Sequence, residues 1–427
     1  MSPSSPSTAR ILLDRFAAWH RLTPPERADV ETALAGLHPG AEHDPERAAE
    51  LLARVWWSFL VEPGDGVAGA LIAEAGAVAA LLAVLAALPT PDALPDMTPA
   101  ASIRGTLPGV PTPDATRALA RWRPRFGDRG LVGALRSAAS LHLRVLLPGD
   151  DAWPRRVADL GEHGPVCLWT LGRAELLDRP RVGALVGSRA ATPYGLQVTA
   201  DIAEAWCRQG FTVLSGGAYG VDRQAHRTAL AVGGDTVAVL AGGLDRLYPA
   251  GNEPLLREIA ERGCLVAEQP PGTAPTRWRF LQRNRLIASL AAVVVVTEAG
   301  HRSGALNTAR HAAQLGRPIG AVPGSVVSGS SAGANRIIRD GIAQLVATGD
   351  EALGMLALQP ELEPSPVAGL RAELVRLHDA LHPRQPAPTA ALAARAGLAE
   401  TTVSAGLGEL ELLGLAVRTG DGRWRRG

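Results

Sequence analysis

The stretch from Val182 to His226 reads VGALVGSRAATPYGLQVTADIAEAWCRQGFTVLSGGAYGVDRQAH, and it determines the fold that we expect. Two apolar runs, Val182–Val186 and Phe211–Leu214, each end in a glycine turn, and a helical pattern from about Tyr194 to Arg208 separates them. This order predicts a βαβ unit, in which ligands bind at the carboxyl ends of the strands. Glycines let the backbone approach an anion, and the N–H groups of the next helix point at it. The two turns therefore predict a phosphate-facing site.

The same alternation of apolar runs and helical segments continues on the carboxyl side of this stretch. The predicted strands are Val182–Val186, Phe211–Leu214, Thr236–Leu240, Cys264–Ala267, Ala292–Val296 and Pro318–Val322. The predicted helices are Tyr194–Arg208, Gly220–Ala231, Pro254–Arg262, Arg283–Ser289 and Gly304–Leu315. Nearly continuous apolar strands are typical of a parallel sheet that is covered on both faces. We therefore predict an α/β fold with a doubly wound, Rossmann-like parallel sheet.

The segments before this sheet are helical in pattern. Residues 1–45 contain a SPSSPS segment and one weakly amphipathic helix, and we leave this extension unassigned. Residues 46–140 are predicted to form a helical domain with a connector at 89–113, whose Pro-rich composition breaks helices. The α/β domain is predicted to occupy residues 141–357, and it begins with a strand and a turn at about Leu141.

The last part of the chain has a different pattern. A Pro-rich linker is predicted at 358–366, and residues 367–427 read as three helices followed by two short strands around Thr419-Gly420-Asp421-Gly422. This order is typical of a winged helix-turn-helix. Its eight Arg against six Asp and Glu make it barely basic, so strong independent DNA binding by this domain is doubtful.

Composition excludes several classes of function. The net charge of +1 gives no general basic field, so a nucleic-acid surface would have to be local. All 43 basic Lys or Arg side chains are arginine, which excludes a Walker-type phosphate lysine and a Schiff-base lysine. The three cysteines are far apart in apolar contexts and are predicted to be buried free thiols in a reducing cytoplasm. Val67–Leu88 is apolar apart from Glu74, and we interpret it as a buried helix pair rather than a membrane span.

Four further stretches carry candidate chemistry. Asp222 and His226 lie one helical turn apart and could form an acid/base pair, although an acidic residue that stabilises its own helix is the commoner case. Arg283-Asn284-Arg285 is predicted to open a helix, where two guanidiniums suit phosphodiester oxygens. Arg302-Ser303-Gly304 forms a third strand-end loop, and Asn335 is predicted to cap a short helix.

Catalytic and metal patterns are absent from the sequence. There is no HExxH or CxxC pattern, no dinucleotide GxGxxG after a strand, and no Ser/His/Asp set at informative spacing. We therefore expect no catalytic residue, no metal and no cofactor, and we expect binding rather than turnover.

Taken together, these motifs resemble the DNA-processing protein DprA (Smf) family. The resemblance runs from about Glu46 to the C-terminus, and its specificity comes from the order of the motifs. They are Gly187-Ser188-Arg189, Ser215-Gly216-Gly217-Ala218-Tyr219-Gly220-Val221-Asp222 with Ala225-His226, Tyr248-Pro249 with Asn252, Arg283-Asn284-Arg285, Ser303-Gly304 and Gly333-Ala334-Asn335.

The resemblance implies an extended Rossmann domain that binds single-stranded DNA, preceded by a SAM-like helical domain. It implies a cytoplasmic homodimer that protects single strands and loads the RecA recombinase on them, as in natural transformation. Many relatives carry a DNA-contacting lysine where Tyr219 stands, so stacking on a base replaces the charge or the affinity is lower. The implied DNA-binding residues are Gly187, Ser188, Arg189, Ser215, Gly216, Gly217, Tyr219, Arg283, Asn284, Arg285, Arg302, Ser303, Gly304 and Asn335.

Two other functions remain open on the sequence alone. Rossmann relatives with glycine-rich loops include nucleotide-processing phosphoribohydrolases, which need a carboxylate base, and only Glu268 or Glu298 is placed for that role. A transcription regulator would instead bind DNA through residues 367–427, and deletion of these residues would abolish binding.

Overall fold

The computed structural model describes residues 8–41, 43–88, 107, 109–128, 130–357, 370–383 and 385–427. These residues form two compact units, Met1–Leu356 and Ala357–Gly427. The predicted linker at 358–366 and most of the predicted connector at 89–113 lie outside the described residues.

Seven helices precede the sheet in the described part of the first unit. They are α1 (Thr8–His20), α2 (Pro24–Leu37), α3 (Pro45–Leu60), α4 (Gly66–Ala75), α5 (Ala77–Ala87), α6 (Thr112–Trp122) and α7 (Gly130–Ser140). The prediction of a single helix before residue 45 is wrong, because there are two. The first of them packs on α3, since the rings of Phe16 and Trp56 lie 5.1 Å apart. Residues 8–37 thus contribute to the same core as the predicted helical domain.

The apolar segment at 67–88 forms the helices α4 and α5. No single helix of the described residues is long and apolar enough to span a membrane. The two helices reach that length and composition only together, and the helix direction bends by 116° between them. Leu71 and Leu81 are fully buried in the core of the unit, as predicted for a buried helix pair.

The remainder of the first unit is built on a nine-stranded sheet. Its strands are β1 (Arg144–Leu146), β2 (Leu168–Gly172), β3 (Val182–Gly187), β4 (Thr212–Ser215), β5 (Thr236–Leu240), β6 (Cys264–Ala267), β7 (Val293–Glu298), β8 (Ile319–Ala321) and β9 (Gln344–Leu345). Its helices are α8 (Pro193–Arg208), α9 (Val221–Ala231), α10 (Glu253–Arg262), α11 (Arg277–Leu290), α12 (Ala305–Gln314), α13 (Ala332–Arg339) and α14 (Gly349–Ala357).

The strand order is β1-β2-β6-β5-β4-β3-β7-β8-β9. Strands β3 to β9 pair in parallel, whereas β1 and β2 form an antiparallel extension at the β6 edge. The chain runs outward from β3 to β6 and then returns to place β7 on the other side of β3. The topological switch point, where open α/β sheets bind ligands, therefore lies between β3 and β7. The predicted doubly wound α/β fold is confirmed.

The central strands are covered on both faces. Val293 and Val295 pack with Trp206 of α8 on one face, whereas Val294 and Val296 pack with Leu286 of α11 on the other. This alternation explains why β7 is apolar throughout, since both of its faces are buried. The strand thereby holds α11 and α8 on opposite sides of the switch point.

The described residues from 370 onward, in the second unit, form three helices and an antiparallel pair of strands. They are α15 (Ala372–Ala380), α16 (Thr389–Ala396), α17 (Glu400–Leu412), β10 (Ala416–Arg418) and β11 (Trp424–Arg426). Leu374, Leu392 and Leu407 lie in its separate hydrophobic core. The element order is the predicted one, and the assignment as a winged helix stays a prediction.

Candidate nucleic-acid interface

A cleft of about 810 Å³ lies where β3, β4 and β7 end and where α11 passes beside them. It is at the topological switch point of the sheet. Eight of the residues predicted to bind DNA line it, namely Gly187, Ser188, Arg189, Arg283, Asn284, Arg302, Ser303 and Gly304. The structure therefore brings two loops and the helix α11, which are far apart in sequence, to one place.

The two glycine turns are packed against each other. A Cβ on Gly187 would lie 2.4 Å from Cγ2 of Val221, and a Cβ on Gly220 would lie 2.1 Å from the carbonyl oxygen of Ser188. The Val221 N–H donates to that same carbonyl at 3.1 Å, and Gly220 has a φ of 73°. Only glycine allows this approach and this backbone conformation. The contact fixes the direction in which Arg189 leaves the turn.

Arg189 provides an exposed cation beside an aromatic ring. Its Cζ lies 4.6 Å from the centroid of the Phe280 ring, a cation–π distance. Arg277 and Arg302 are also exposed and line the same cleft. Among the described residues, none of these three guanidiniums forms an ion pair with a carboxylate. Their charges are therefore available to a ligand.

Helix α11 begins six residues earlier than the sequence predicts. It starts at Arg277, after Thr276, whose hydroxyl oxygen accepts a hydrogen bond from the Arg279 N–H at 3.3 Å. The prediction that Arg283 opens the helix is therefore wrong. Arg283, Asn284 and Arg285 lie in the middle of α11 and are all buried.

Arg283 holds the second glycine turn in place. Its Nη1 donates to the carbonyl oxygen of Gly216 at 2.7 Å and also to that of Val239. Burial lowers the pKa of Arg283 to about 10, an effect that the nearby Asp222 opposes, so the guanidinium stays charged near neutral pH. Burial also raises the pKa of Asp222, and the charge of Arg283 opposes that shift. Only the part of the Arg283 side chain that faces the cleft could contact a ligand.

Asn284 and Arg285 have different environments. The Asn284 amide donates to Oδ1 of Asn307 at 3.2 Å and to the carbonyl oxygen of Gly304 at 3.3 Å, and so holds the third loop. Arg285 donates to a carboxylate oxygen of Glu268 at 2.5 Å, with side chains 5% and 8% exposed. Arg285 does not line the cleft but a separate cavity on the other side of α11.

The remaining predicted residues are not brought into the cleft. The Ser215 hydroxyl donates to the carbonyl oxygen of Leu185 at 2.6 Å, and the carbonyl of Gly217 accepts from Asn252 at 2.9 Å. Gly216 is buried against Arg283, since a Cβ there would lie 2.3 Å from its Nη1. These residues build the second glycine turn.

Tyr219 and Asn335 lie beyond the walls of the cleft. Tyr219 is 42% exposed, and its hydroxyl oxygen accepts from the Gly251 N–H at 3.2 Å. Asn335 lies inside α13, so its prediction as a helix cap is wrong. The Asn335 side-chain oxygen instead accepts a hydrogen bond from the Gly324 N–H at 3.0 Å, and its Nδ2 donates to the Gly324 carbonyl oxygen at 2.9 Å.

The comparisons with known proteins agree with this architecture. The sequence profile of the family described as DNA recombination-mediator protein A matches residues 144–357. A DNA processing protein DprA of Mycobacterium tuberculosis is 46% identical over 300 residues, which cover 66% of this chain and 76% of the relative. The chain belongs to the DprA family.

Two solved structures of DNA processing protein A are similar to this chain. The X-ray structure of DprA from Streptococcus pneumoniae matches with a TM-score of 0.53 and 28% identity, covering 72% of this chain and 97% of that one. A structure of DNA processing protein A from Helicobacter pylori, described for its single-stranded DNA binding mode, matches with a TM-score of 0.45 and 32% identity. That match covers 48% of this chain and 93% of the other.

The carboxylates and the histidine that the sequence offers for catalysis have other contacts in this DprA-family chain. The two oxygens of buried Glu298 accept from the N–H and the hydroxyl of Thr192, at 2.7 and 2.8 Å, and the Glu268 carboxylate is paired with Arg285. His226 does not pair with Asp222 but bonds the Thr236 hydroxyl at 2.7 Å, and burial lowers its pKa to about 3. The described residues contain no group of His, Cys, Asp or Glu that could hold a metal.

Two aromatic residues of the cleft are absent from the predicted site. Tyr248 is 48% exposed and lies 5.8 Å from Phe280, ring to ring. Together with Arg277, these residues line the cleft. A helix start at Thr276 would have revealed Phe280, because Arg277, Phe280 and Asn284 then fall on one helical face. The Pro275-Thr276 pair was the available signal.

Proposed function

We propose that this DprA-family protein binds single-stranded DNA in the switch-point cleft and acts there as a recombination mediator rather than as an enzyme. The observation that carries the proposal is a set of five side chains that line one cleft. Three are exposed guanidiniums that have no carboxylate partner among the described residues, and two are aromatic rings, the exposed Tyr248 and the half-buried Phe280. Guanidiniums attract the phosphates of a strand, and aromatic rings stack on its bases without regard to sequence. A duplex does not offer such faces, because its bases are stacked on one another.

The phosphates would follow Arg189, Arg277 and Arg302. Arg189 lies over one face of Phe280, so a base can stack on the exposed part of that ring or on Tyr248. Arg283 stabilises the wall of the cleft and is not counted as a separate phosphate contact, because its Nη1 donates to two backbone carbonyl groups.

The family implies the rest of the proposal. The family's description as a recombination mediator supports protection of the strand and loading of the RecA recombinase, as in natural transformation. We further propose a cytoplasmic homodimer, a SAM-like helical domain at 46–140 and a winged helix at 367–427. The contacts of Glu268 with Arg285 and of Glu298 with Thr192 argue against the phosphoribohydrolase alternative, which needs a free carboxylate base.

Equilibrium binding to a labelled oligo-dT at several salt concentrations tests the proposal. Each phosphate contact contributes a slope of about −0.7 in log K against log salt for single strands, so Arg189→Ala and Arg302→Ala should each flatten the slope by about 0.7. Arg208→Ala is the matched control, because Arg208 is exposed and lies at the far end of α8. Equal effects of all three substitutions would refute the cleft as the binding site.

RecA loading needs its own measurement. Addition of the protein to oligo-dT coated with a single-strand-binding protein should shorten the lag of the RecA ATPase. A lag that the wild-type protein and Arg189→Ala leave equally unchanged would contradict the mediator function.

A further inference from the structure

A second cavity, of about 1030 Å³, lies on the opposite side of α11 from the DNA cleft. Its floor and walls come from α11, from the loop between α3 and α4, and from α6 and the end of α12. Trp278, Gln282 and Arg285 face it, and their spacing of four and three residues places them on one face of α11. The helix is thus a wall shared by the cleft and this cavity.

Two hydrogen-bond donors of Arg285 are buried at the edge of the cavity. The residue is 4% exposed, and its Nη2 is paired with Glu268. Its Nε and Nη1 have no hydrogen-bond partner in the described part of the chain. Gly64 borders this edge of the guanidinium, since a Cβ on it would lie 3.0 Å from Nε. Buried donors without a partner are uncommon in proteins, and a ligand that accepts these hydrogen bonds would satisfy them.

The acidic side chains around the cavity are paired within the protein. Asp65 is paired with Arg121 at 3.0 Å, and Glu62 is paired with Arg279 at 2.8 Å and also with Arg125. Because these charges compensate one another, the cavity has little net attraction for a phosphate. A neutral ring with carbonyl or ring-nitrogen acceptors suits the free edge of Arg285 better.

Trp278 provides a surface for such a ring. Its side chain is 57% exposed at the cavity, and its neighbour Arg277 faces the DNA cleft. A strand that leaves the cleft across the first turn of α11 therefore reaches Trp278 next. Gln282 adds an amide that can pair with the edge of a base.

We propose that this cavity is a nucleobase subsite, in which a base of the bound single strand stacks on Trp278 and accepts hydrogen bonds from Nε and Nη1 of Arg285. The subsite rests on the proposed function, because the same strand occupies the cleft. It extends the binding path beyond the phosphates held by Arg189 and Arg302.

The test compares oligo-dT of increasing length, from about 4 to about 16 nucleotides, the range that single-strand-binding modules cover. Trp278→Ala should leave the affinity for the shortest oligonucleotides unchanged. Once the strand is long enough to reach the cavity, the variant should bind about 5- to 150-fold more weakly, which corresponds to the loss of one base stack. Trp278→Phe should retain most of the affinity because it keeps an aromatic face.

Val232→Ala is the control, since Val232 is an exposed apolar residue at the C-terminal end of α9. An oligonucleotide of the same length with one abasic position should lose its sensitivity to Trp278→Ala when the missing base is the one in the cavity. If Arg189→Ala weakens binding but Trp278→Ala has no effect at any length, the subsite is refuted and the proposed function stands. If Arg189→Ala has no effect on any oligonucleotide, the proposed function fails instead.

Discussion

Replacement of Arg285 by methionine distinguishes a structural role from a role in phosphate binding. In the structure, Arg285 and Glu268 form a pair with an N–O distance of 2.5 Å, and their side chains are 5% and 8% exposed. Removal of one partner of a buried ion pair leaves the other charge uncompensated, which costs about 3–5 kcal/mol. We therefore expect Arg285→Met to lower the free energy of unfolding of the first unit by that amount.

The loss should depend on pH. Burial raises the pKa of Glu268, and the charge of Arg285 opposes this shift. Without Arg285 the pKa rises further, so the folded chain binds a proton that the unfolded chain has already released. A raised pKa of this kind favours the folded state at low pH, and the advantage is lost as the pH rises through the folded pKa. The deficit of Arg285→Met relative to wild type should therefore be smaller at about pH 5 than at about pH 8.

Urea denaturation followed by tryptophan fluorescence measures this loss, because every tryptophan except Trp424 lies in the first unit. Glu268→Gln combined with Arg285→Met should recover much of the stability and remove the added pH dependence. A loss for Arg285→Met of no more than about 1 kcal/mol, as for an exposed pair, would refute the reasoning. A salt slope of DNA binding that flattened by about 0.7 in Arg285→Met would show that Arg285 contacts a phosphate after all.

Three further predictions follow from other parts of the fold. In Gly220→Ala, the added Cβ would lie 2.1 Å from the carbonyl oxygen of Ser188, at a residue with a positive φ. We therefore expect the free energy of unfolding, measured by thermal unfolding, to fall by about 2 kcal/mol or more, and oligo-dT binding to weaken. Glu298→Ala removes two buried hydrogen bonds to Thr192, and thermal unfolding should show a loss of about 2–4 kcal/mol, whereas a neutral result would contradict the anchoring role. Deletion of 358–427 should change the affinity for oligo-dT, measured by fluorescence anisotropy, by no more than about tenfold from that of the full chain, because α17 carries three glutamates and no arginine. Abolished binding would favour the regulator alternative.

The strands β3 to β8 could be predicted from the sequence with little error, whereas β2 and β9 of the same sheet were not predicted. Each of the six predicted strands lies within two residues of the observed one, because a strand buried on both faces is a short apolar run between turn residues. The glycine turns could also be predicted from the sequence. Their conformational demands are local, so the residue type reports them directly.

The start of α11 could not be predicted in the same way. Its buried face carries Arg283, Asn284 and Arg285, so the helix lacks the apolar stripe by which an amphipathic helix is recognised. These polar residues are buried because their partners are supplied by distant parts of the chain. Gly216 is 67 residues from Arg283, and Glu268 belongs to the segment after β6. No local pattern contains that information.

The same geometry separates the residues that support the loops of the cleft from the residues proposed to contact DNA. Arg283 and Asn284 carry the recognisable motif, yet their side chains hold the loops that end β4 and begin α12. The exposed cations of the cleft are Arg189, Arg277 and Arg302, and one of them, Arg302, comes from a loop that the motif holds. A buried guanidinium is held in one place and can fix the position of a loop, whereas an exposed guanidinium can follow the phosphates of a flexible strand. Loss of the motif should therefore act on binding through the folding of the cleft, and loss of the exposed arginines should act through the salt dependence alone.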